Sequence, residues 1–349
     1  MSRVQFKGRQ AVSIENEALR LTVLIEGGHI AEVFDKRAGV SPLWIPHWTS
    51  IEPSSFGPAQ YAQFGAGPDA PLLVGIMGHN LCLDLFGGPS VEEAAAGLTV
   101  HGEASVNPYD ITELPDELLL QVTLPLAQLK FSRSIKLRGQ QLRIVETVEN
   151  LAAIDRPLAW TQHVTLSPPF LDPATTQFRA SMGRSIVSET DPGFSAYLSP
   201  GVEFQWPMAP QPDGQQADLR QMKSTAPASG YTAHLADPQS SDAWFVAFAP
   251  QYRLAFGYIW KRSDFPWLGI WEENCSRKAT PWDGQTITRG MEFGVSPFPE
   301  SRREMIDRSR LLDAPTYKWL PAKGLLEAEY CIVSSIADSI PESLSWPVA

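Results

Sequence analysis

Apolar and polar residues alternate with a period of two along much of the chain, and this pattern predicts β-strands. Residues 19–25 carry an apolar side chain at every odd position, and Gly27-Gly28 supplies a turn before a second apolar stretch at 29–34. These features predict an opening antiparallel hairpin. The same alternation predicts further strands over residues 118–124, 128–137, 142–149, 244–248, 254–260 and 329–335.

Helix is predicted to be the minority element. The best helical segment is 300–312, with Ser301 near its start as a cap. Thirty prolines and 25 glycines divide the rest of the chain into short strands. This spacing favours an antiparallel sandwich over a βαβ alternation. We therefore expect an all-β protein, a large antiparallel β-sandwich with few short helices, and we treat residues 1–349 as a single domain.

Two long segments, 46–71 and 200–230, interrupt the strand pattern. Both are rich in Pro, Gly, Gln and Ser and also contain aromatic residues. Long loops of this kind often frame a binding cleft, but they also serve as surface excursions that cover a sheet edge. The sequence leaves both interpretations open.

Composition and charge exclude several classes of partner. The chain has 28 Lys and Arg against 39 Asp and Glu, and the resulting net charge of −11 opposes binding to a phosphate backbone. It has neither a signal-like apolar start nor an apolar run of the roughly 20 residues that a membrane helix needs. We expect a cytoplasmic protein with neither a nucleic acid nor a membrane partner. The three cysteines, Cys82, Cys275 and Cys331, have no metal or disulfide spacing and are expected to stay reduced.

Candidate acid–base residues occur in three strand-like segments. His101 begins a His-Gly-Glu triplet, His163 follows about sixty residues later, and Glu272-Glu273 comes later still. One carboxylate and one imidazole suffice to exchange protons at neutral pH. No two of the six histidines have the spacing of a zinc site, and phosphate-binding loops and serine-hydrolase elbows are absent from the sequence.

Taken in order, several segments resemble the galactose mutarotase-like (aldose 1-epimerase) superfamily. The first is the hairpin region 21–44, and the second is 80–89 followed by His101-Gly102-Glu103-Ala104, which is similar to the HGxxR motif. The strand 146–150 followed by His163 resembles the second histidine segment, and 271–274 (Trp-Glu-Glu-Asn) resembles the LExQ strand. The resemblance spans about residues 18–334 and implies a β-supersandwich.

Two departures bear on the substrate. Ser105 stands where the HGxxR motif has its arginine. Met77-Gly78-His79 stands where hexose-phosphate epimerases place an arginine before glycine. A phosphosugar substrate is therefore not favoured.

By this resemblance His163 is the acid, Glu272 the base, and His101 a second imidazole near the ring oxygen or a hydroxyl. Adjacent strand residues point to opposite faces, so only one of Glu272 and Glu273 can enter a common site. The offset to Asn274 favours Glu272, with Glu273 and Glu292 as the other candidates.

Further residues are candidates for binding the sugar. Indole faces stack on pyranose rings, and amide, imidazole or carboxylate groups bind hydroxyls. The predicted binding residues are Trp160, Trp271, Trp282, His79, Asn80 and Glu273. For His79, which follows Gly78, the sequence favours a role in a turn over binding a sugar hydroxyl.

The expected function is a mutarotase that interconverts the anomers of a free or modified sugar by acid–base ring opening, without a cofactor or metal. A sugar-binding relative that has lost turnover is the alternative, and a polysaccharide lyase or hydrolase is a weaker one. The sequence leaves the sugar and the oligomeric state open.

Overall fold

The computed structural model describes residues 2–190 and 194–346, and antiparallel strands make up most of these ranges. The strands, in chain order, are β1 (Ser2–Phe6), β2 (Arg9–Glu15), β3 (Leu19–Leu24), β4 (Ile30–Asp35), β5 (His79–Asp84), β6 (Asp110–Leu114), β7 (Glu117–Leu124), β8 (Leu129–Arg138), β9 (Gln141–Asn150), β10 (Arg156–Leu166), β11 (Gln177–Ala180), β12 (Met182–Val187), β13 (Glu203–Gln205), β14 (Met208–Pro210), β15 (Gln216–Asp218), β16 (Ala228–Ala236), β17 (Asp242–Ala249), β18 (Leu254–Lys261), β19 (Trp267–Asn274), β20 (Ile287–Gly294), β21 (Arg310–Leu311), β22 (Ala314–Pro315), β23 (Lys318–Leu320) and β24 (Leu325–Ile336).

The helices are short. The α-helices are α1 (Tyr61–Phe64), α2 (Ala70–Leu73), α3 (Val91–Ala95) and α4 (Arg302–Arg308), and 3₁₀ turns occupy Pro53–Ser55, Pro58–Gln60, Glu103–Ser105 and Pro250–Tyr252. None of the helices in the described parts of the chain is long and apolar enough to cross a membrane.

Two large sheets form the body of the fold. A 12-stranded sheet has the order β1-β2-β3-β4-β5-β10-β20-β19-β16-β12-β13, with β23 paired to β10. An eight-stranded sheet has the order β11-β17-β18-β24-β9-β8-β7-β6. Two further pairs, β14-β15 and β21-β22, lie outside them. The prediction of a large antiparallel sandwich with few short helices is confirmed.

The predicted strands with clear alternation are all present. The opening hairpin is β3 and β4, joined through Gly27 and Gly28 at φ values of 81° and 57°, which glycine adopts without strain. The predicted helix at 300–312 is shorter than expected. It is capped by Ser301, whose hydroxyl accepts from the Glu304 N–H, and it ends at Arg308 because the next residues turn into β21.

The hydrophobic core lies between the two large sheets. Phe293 of β20 stacks on Trp260 of β18 with ring centroids 4.3 Å apart, and it also meets Tyr330 of β24 edge to face at 5.3 Å. Burying a side chain of this size contributes about 1.5–3 kcal/mol. Since Glu292 precedes Phe293 on the same strand, its side chain lies on the opposite face of the 12-stranded sheet, away from the eight-stranded sheet.

The central strands of the 12-stranded sheet are covered on both faces. Every residue of β5 and β19 is buried, as are nearly all residues of β10 and β20. On the face opposite the core, the cover is the segment 44–76. Trp44 N–H donates to the Thr165 carbonyl at 2.8 Å, and Trp48 Nε1 donates to the Leu73 carbonyl at 3.0 Å. This cover encloses a cavity.

Candidate active site

The cavity has a volume of about 270 Å³ and lies between the outer face of the 12-stranded sheet and the segments that cover it. Its polar lining groups are Asp69, His101, His163, Arg277 and Glu292, and Tyr231 contributes a hydroxyl. Its apolar wall includes Trp44, Phe86, Trp271 and Trp282. Asp69 belongs to the first of the two predicted loops, whereas the second, 200–230, contributes no lining residue.

Strand register brings His163 and Glu292 together. The two residues are direct partners across the antiparallel pair of β10 and β20, so their side chains share a face. His163 Nε2 lies 3.1 Å from Glu292 Oε1, and both side chains are almost fully buried. The other ring nitrogen, Nδ1, lies 3.1 Å from the Thr165 hydroxyl. Both nitrogens of His163 therefore have partners, and the carboxyl lies beside the imidazole.

Glycines make the space that Glu292 occupies. Gly290 lies two residues before Glu292 on β20, and a Cβ at this position would lie 2.5 Å from Glu292 Oε1. Gly269 is the β19 partner of Glu292, and a Cβ there would lie 2.0 Å from the Tyr231 hydroxyl. The absence of these two side chains allows the carboxyl and the phenol to meet, with Tyr231 Oη 3.3 Å from Glu292 Oε2.

Burial makes the protonation of this pair unusual. Desolvation raises the pKa of Glu292 from 4.5 to about 8, against the opposing effects of the Tyr231 hydrogen bond and the positive charge of Arg277. Desolvation, with His101 nearby, lowers the pKa of His163 well below its ordinary value. At neutral pH the carboxyl therefore carries the titratable proton and the imidazole is neutral, and the two groups titrate as a coupled pair.

His101 enters the cavity from the loop before the 3₁₀ turn at Glu103–Ser105. Its backbone has φ 66°, and its Nδ1 lies 2.6 Å from the Phe86 carbonyl. Since a carbonyl only accepts, Nδ1 carries the proton of the neutral ring and Nε2 keeps a lone pair. Burial lowers the pKa of His101 to about 4, so the ring is neutral at pH 7. The His101 and His163 ring centroids are 5.0 Å apart.

An aromatic wall closes the other side of the cavity. Trp44 and Trp282 stack with their planes 4° apart, and Trp271 meets Trp282 edge to face at 6.1 Å. Trp271 Nε1 is buried and has no hydrogen-bond partner in the structure. An unsatisfied buried donor costs free energy, so a ligand acceptor at this position would be stabilising.

The structure brings together four of the predicted site residues and Glu292, the third candidate for the carboxylate. His101, His163, Trp271 and Trp282 all line the cavity. Glu272 does not line it. Trp271 precedes it on β19 and faces the cavity, so Glu272 points to the opposite face of the sheet. The prediction that Glu272 and His163 enter a common site is therefore wrong.

Glu272 belongs instead to a separate buried cluster. Its Oε2 accepts from the Tyr197 hydroxyl at 2.6 Å, and its Oε1 lies 3.5 Å from the guanidinium of Arg289, its partner across β20. Arg289 also donates to the Leu219 carbonyl at 2.6 Å and lies over the ring of Phe178. This cluster ties β19 and β20 to neighbouring loops and strands.

Two predicted binding residues lie in the core between the sheets. His79 is buried, with Nε2 2.9 Å from Gln162 Oε1, and burial lowers its pKa well below the ordinary value. Trp160 is also buried and donates from Nε1 to Glu146 at 3.0 Å. Because Trp160 is three positions before His163 on one strand, the two side chains face opposite sides of the sheet.

Asn80 and Glu273 have internal partners next to the site. Asn80 donates to the Ser105 hydroxyl at 3.1 Å, and that hydroxyl donates to the Leu81 carbonyl at 2.6 Å. Ser105 is fully buried, so the position of the motif arginine holds a structural tie. Glu273 accepts from the backbone and hydroxyl of Ser276 and forms an ion pair with Arg277, 3.6 Å apart.

Sequence reasoning missed several residues of the cavity. Tyr231 and Arg277 were not predicted as site residues, and neither was Thr165, which orients His163. The run Gly290-Met-Glu-Phe-Gly294 was a signal for Glu292, because both glycines share its strand face. Among the described residues no group of three or more His, Cys, Asp or Glu side chains could hold a metal ion.

Comparison with solved structures identifies the fold. A candidate aldose 1-epimerase from Klebsiella pneumoniae superposes with a TM-score of 0.66 at 13% identity, over 95% of this chain and 80% of that one. A candidate aldose 1-epimerase from Escherichia coli gives 0.62 at 14%, over 94% and 100%. A galactose mutarotase related enzyme from Lactobacillus acidophilus gives 0.59 at 12%, over 95% and 99%.

The sequence comparisons return nothing similar. No family model matches the chain, and no curated protein matches it. At identities this low, likeness to solved structures establishes the fold alone. The chain has the galactose mutarotase-like fold.

Proposed function

We propose that this protein is a mutarotase-like isomerase that interconverts the α and β anomers of a monosaccharide. The observation that carries the proposal is the convergence of His101, His163 and Glu292 in one tryptophan-walled cavity. Ring opening requires a base for the C1 hydroxyl proton and an acid for the ring oxygen. The shared fold with candidate aldose 1-epimerases supports this class of reaction.

His101 is the proposed base. Its Nδ1–H is held by the Phe86 carbonyl, which leaves the Nε2 lone pair to accept a proton. Its lowered pKa, about 4, keeps this lone pair available at neutral pH. The hydrogen bond also fixes the ring, as a base that acts in a defined direction requires.

The acid is the Glu292 carboxyl, with His163 as the group that shares its proton. A carboxyl with a pKa of about 8 still carries its proton at pH 7 and can donate it to the ring oxygen. His163, 3.1 Å away, stabilises the carboxylate that remains, and Thr165 holds the imidazole from its other side. Glu292 thus replaces Glu272 as the catalytic carboxyl. The roles are also exchanged, because the sequence predicted a carboxylate base and an imidazole acid.

The proton balance closes over one cycle. His101 takes the proton of the C1 hydroxyl while Glu292 protonates the ring oxygen, and the C1–ring oxygen bond breaks to give an open-chain aldehyde. Rotation about the C1–C2 bond presents the other carbonyl face. On closure Glu292 regains its proton from the attacking hydroxyl, and His101 returns its proton to the carbonyl oxygen. Neither residue is changed, and no cofactor enters the proposed cycle.

The size of the cavity favours a single sugar ring. Its volume, about 270 Å³, falls just below the usual range for small-molecule pockets. The stacked Trp44 and Trp282 form an apolar wall of the kind that suits a pyranose face. A volume of this size fits one sugar ring, so the proposal is confined to monosaccharides.

Exchange NMR on the anomeric protons tests the proposal. We expect the wild-type protein to accelerate exchange for at least one sugar among glucose, galactose, glucuronate and galacturonate. His101→Ala should remove the acceleration, whereas His47→Ala, which changes an exposed histidine outside the cavity, should retain it. If no sugar exchanges faster than in buffer while ligand-observed NMR detects binding, the protein is a sugar-binding relative instead.

A further inference from the structure

We propose that the sugar is a uronic acid and that Arg277 binds its carboxylate. This inference rests on the proposed function, because it names the substrate class of the same cavity. It begins from the position of Arg277 among the lining residues, a position that acid–base ring opening by itself does not require.

The Arg277 guanidinium is held at the cavity by two indoles. Its central carbon lies 4.5 Å from the ring centroid of Trp282 and 5.2 Å from that of Trp271. Cation–π contacts of this kind orient the planar group, and a quarter of the side chain, 24%, stays exposed. The guanidinium is a planar fork of N–H donors, the group that binds a carboxylate with two parallel hydrogen bonds.

Glu273 anchors the loop that carries Arg277. Its carboxylate accepts from Ser276 N–H at 2.5 Å, Ser276 Oγ at 2.6 Å and Arg277 N–H at 3.1 Å. Its distance of 3.6 Å from Arg277 Nε is an ion-pair distance, longer than a hydrogen bond. Glu273 therefore fixes the backbone and charge of Arg277, and a guanidinium with five donors can serve more than one carboxylate.

The charges of the other lining groups leave Arg277 as the cation of the cavity. Among the lining residues, His101 and His163 are neutral at pH 7 because burial lowers their pKa values, and Asp69 is an exposed anion. A single cation with a partly compensated charge suits a monoanion. A phosphate monoester carries a charge of about −1.5 to −2 and calls for more cations than this cavity has.

The chemistry of a uronic acid places its charge next to the reaction. The carboxylate is attached to C5, the carbon bonded to the ring oxygen that Glu292 is proposed to protonate. Arg277 and Glu292 both line the cavity. Trp271 lies next to both groups, since its ring centroid is 5.2 Å from the Arg277 guanidinium carbon and 6.1 Å from the ring centroid of His163, the partner of Glu292. A sugar held by its carboxylate at Arg277 would then direct its ring oxygen towards Glu292.

The test compares anomeric exchange of galacturonate and glucuronate with that of galactose, glucose and glucose 6-phosphate. In wild type we expect kcat/KM to be highest for a uronate. Arg277→Met should lower the ratio of uronate to neutral-sugar kcat/KM by about 10- to 100-fold, the loss expected for charge-assisted hydrogen bonds. Lys278→Met is the matched control, since it removes a charge from the next residue, which does not line the cavity, and it should leave the ratio unchanged.

The outcomes separate this inference from the function on which it rests. If neutral sugars exchange as fast as uronates, or Arg277→Met lowers both equally, the uronate assignment fails and the mutarotase proposal stands. If exchange depends on Arg277 for glucose 6-phosphate alone, the proposal that Arg277 binds a sugar carboxylate is wrong. If nothing exchanges but saturation-transfer NMR detects uronate binding that Arg277→Met abolishes, the mutarotase proposal fails and the ligand class stands. Arg277→Lys, which keeps the charge, should restore part of the ratio.

Discussion

Two glutamates on neighbouring strands, Glu272 of β19 and Glu292 of β20, lie on opposite faces of one sheet and have different partners. Glu272 meets a buried arginine, Arg289, and the Tyr197 hydroxyl. Glu292 meets a buried imidazole, His163, and the Tyr231 hydroxyl. Both carboxyls are almost fully buried, so burial alone does not distinguish them.

The partner decides what each carboxyl can do. An arginine stays protonated, so Glu272 beside it forms an ion pair that serves the fold. A histidine with a lowered pKa has no charge to offer, so Glu292 beside it keeps its own proton. The difference is what the proposed function requires, with one acid serving the fold and the other available for proton transfer.

The largest expected effect comes from removing the exchangeable proton. Glu292→Gln should lower kcat/KM for anomeric exchange by about 10²- to 10⁴-fold, the usual contribution of a general acid. Glu272→Gln should retain exchange per folded molecule, because Glu272 does not line the cavity. Exchange NMR on both variants tests this pair of expectations. Loss of exchange in Glu272→Gln alone would reverse the assignment.

Stability should respond in the opposite sense. Glu272→Gln leaves the fully buried charge of Arg289 without its carboxylate, and breaking such a pair costs about 3–5 kcal/mol. Glu292→Gln should change the free energy of unfolding much less at pH 7, since glutamine resembles a protonated carboxyl in shape and charge. Urea unfolding followed by circular dichroism measures both. Equal losses would mean that both glutamates are ion-paired.

Two glycines offer a matched test of the space around the carboxyl. Gly290→Ala places a Cβ 2.5 Å from Glu292 Oε1 and should displace it, lowering kcat/KM by about 10- to 100-fold. Gly230→Ala, opposite Glu272, meets Tyr197 and Leu198 only at 3.7 and 3.8 Å and should be tolerated. The kcat/KM of each variant for anomeric exchange gives the comparison. An inactive Gly230→Ala variant would mean that the reaction takes place on the face of the sheet that carries Glu272, and would contradict the role of Glu292.

The smallest expected effect is a shift in the pH profile. The kcat/KM of the wild type should fall above about pH 8 as Glu292 loses its proton, and below about pH 4 as His101 gains one. The Tyr231 hydroxyl favours the ionised form of Glu292, so Tyr231→Phe should raise the pKa of Glu292 and move the alkaline limb upward. An alkaline limb that stays in place would mean that another group sets it.

The sequence predicts the two-faced outer strands better than the central ones. Strands such as β7 and β8 alternate buried and exposed residues, and their alternation was visible in the sequence. The central strands β5, β10, β19 and β20 are buried on both faces, so their sequences lack that period. The strands that carry the site are therefore the ones with the weakest signal.

Strand parity separates two further pairs of the predicted site residues. On one strand Trp160 and His163 are an odd number of residues apart, as are Trp271 and Glu272, so neither pair can share a face. Parity alone does not identify Glu292 as the partner of His163. Its partnership with His163 depends on the register between β10 and β20, strands more than 100 residues apart, and local sequence does not fix that register.

The most direct test of the account is the ionisation of Glu292 itself. Carboxyl ¹³C NMR of protein labelled at glutamate, with the Glu292→Gln variant to assign the signal, follows this one group through pH. The expected result is a carboxyl that is protonated at pH 7 and titrates with a midpoint of about 8. A Glu292 signal that titrates near the ordinary value of about 4.3 would mean an ionised carboxylate at neutral pH and would contradict its role as the acid.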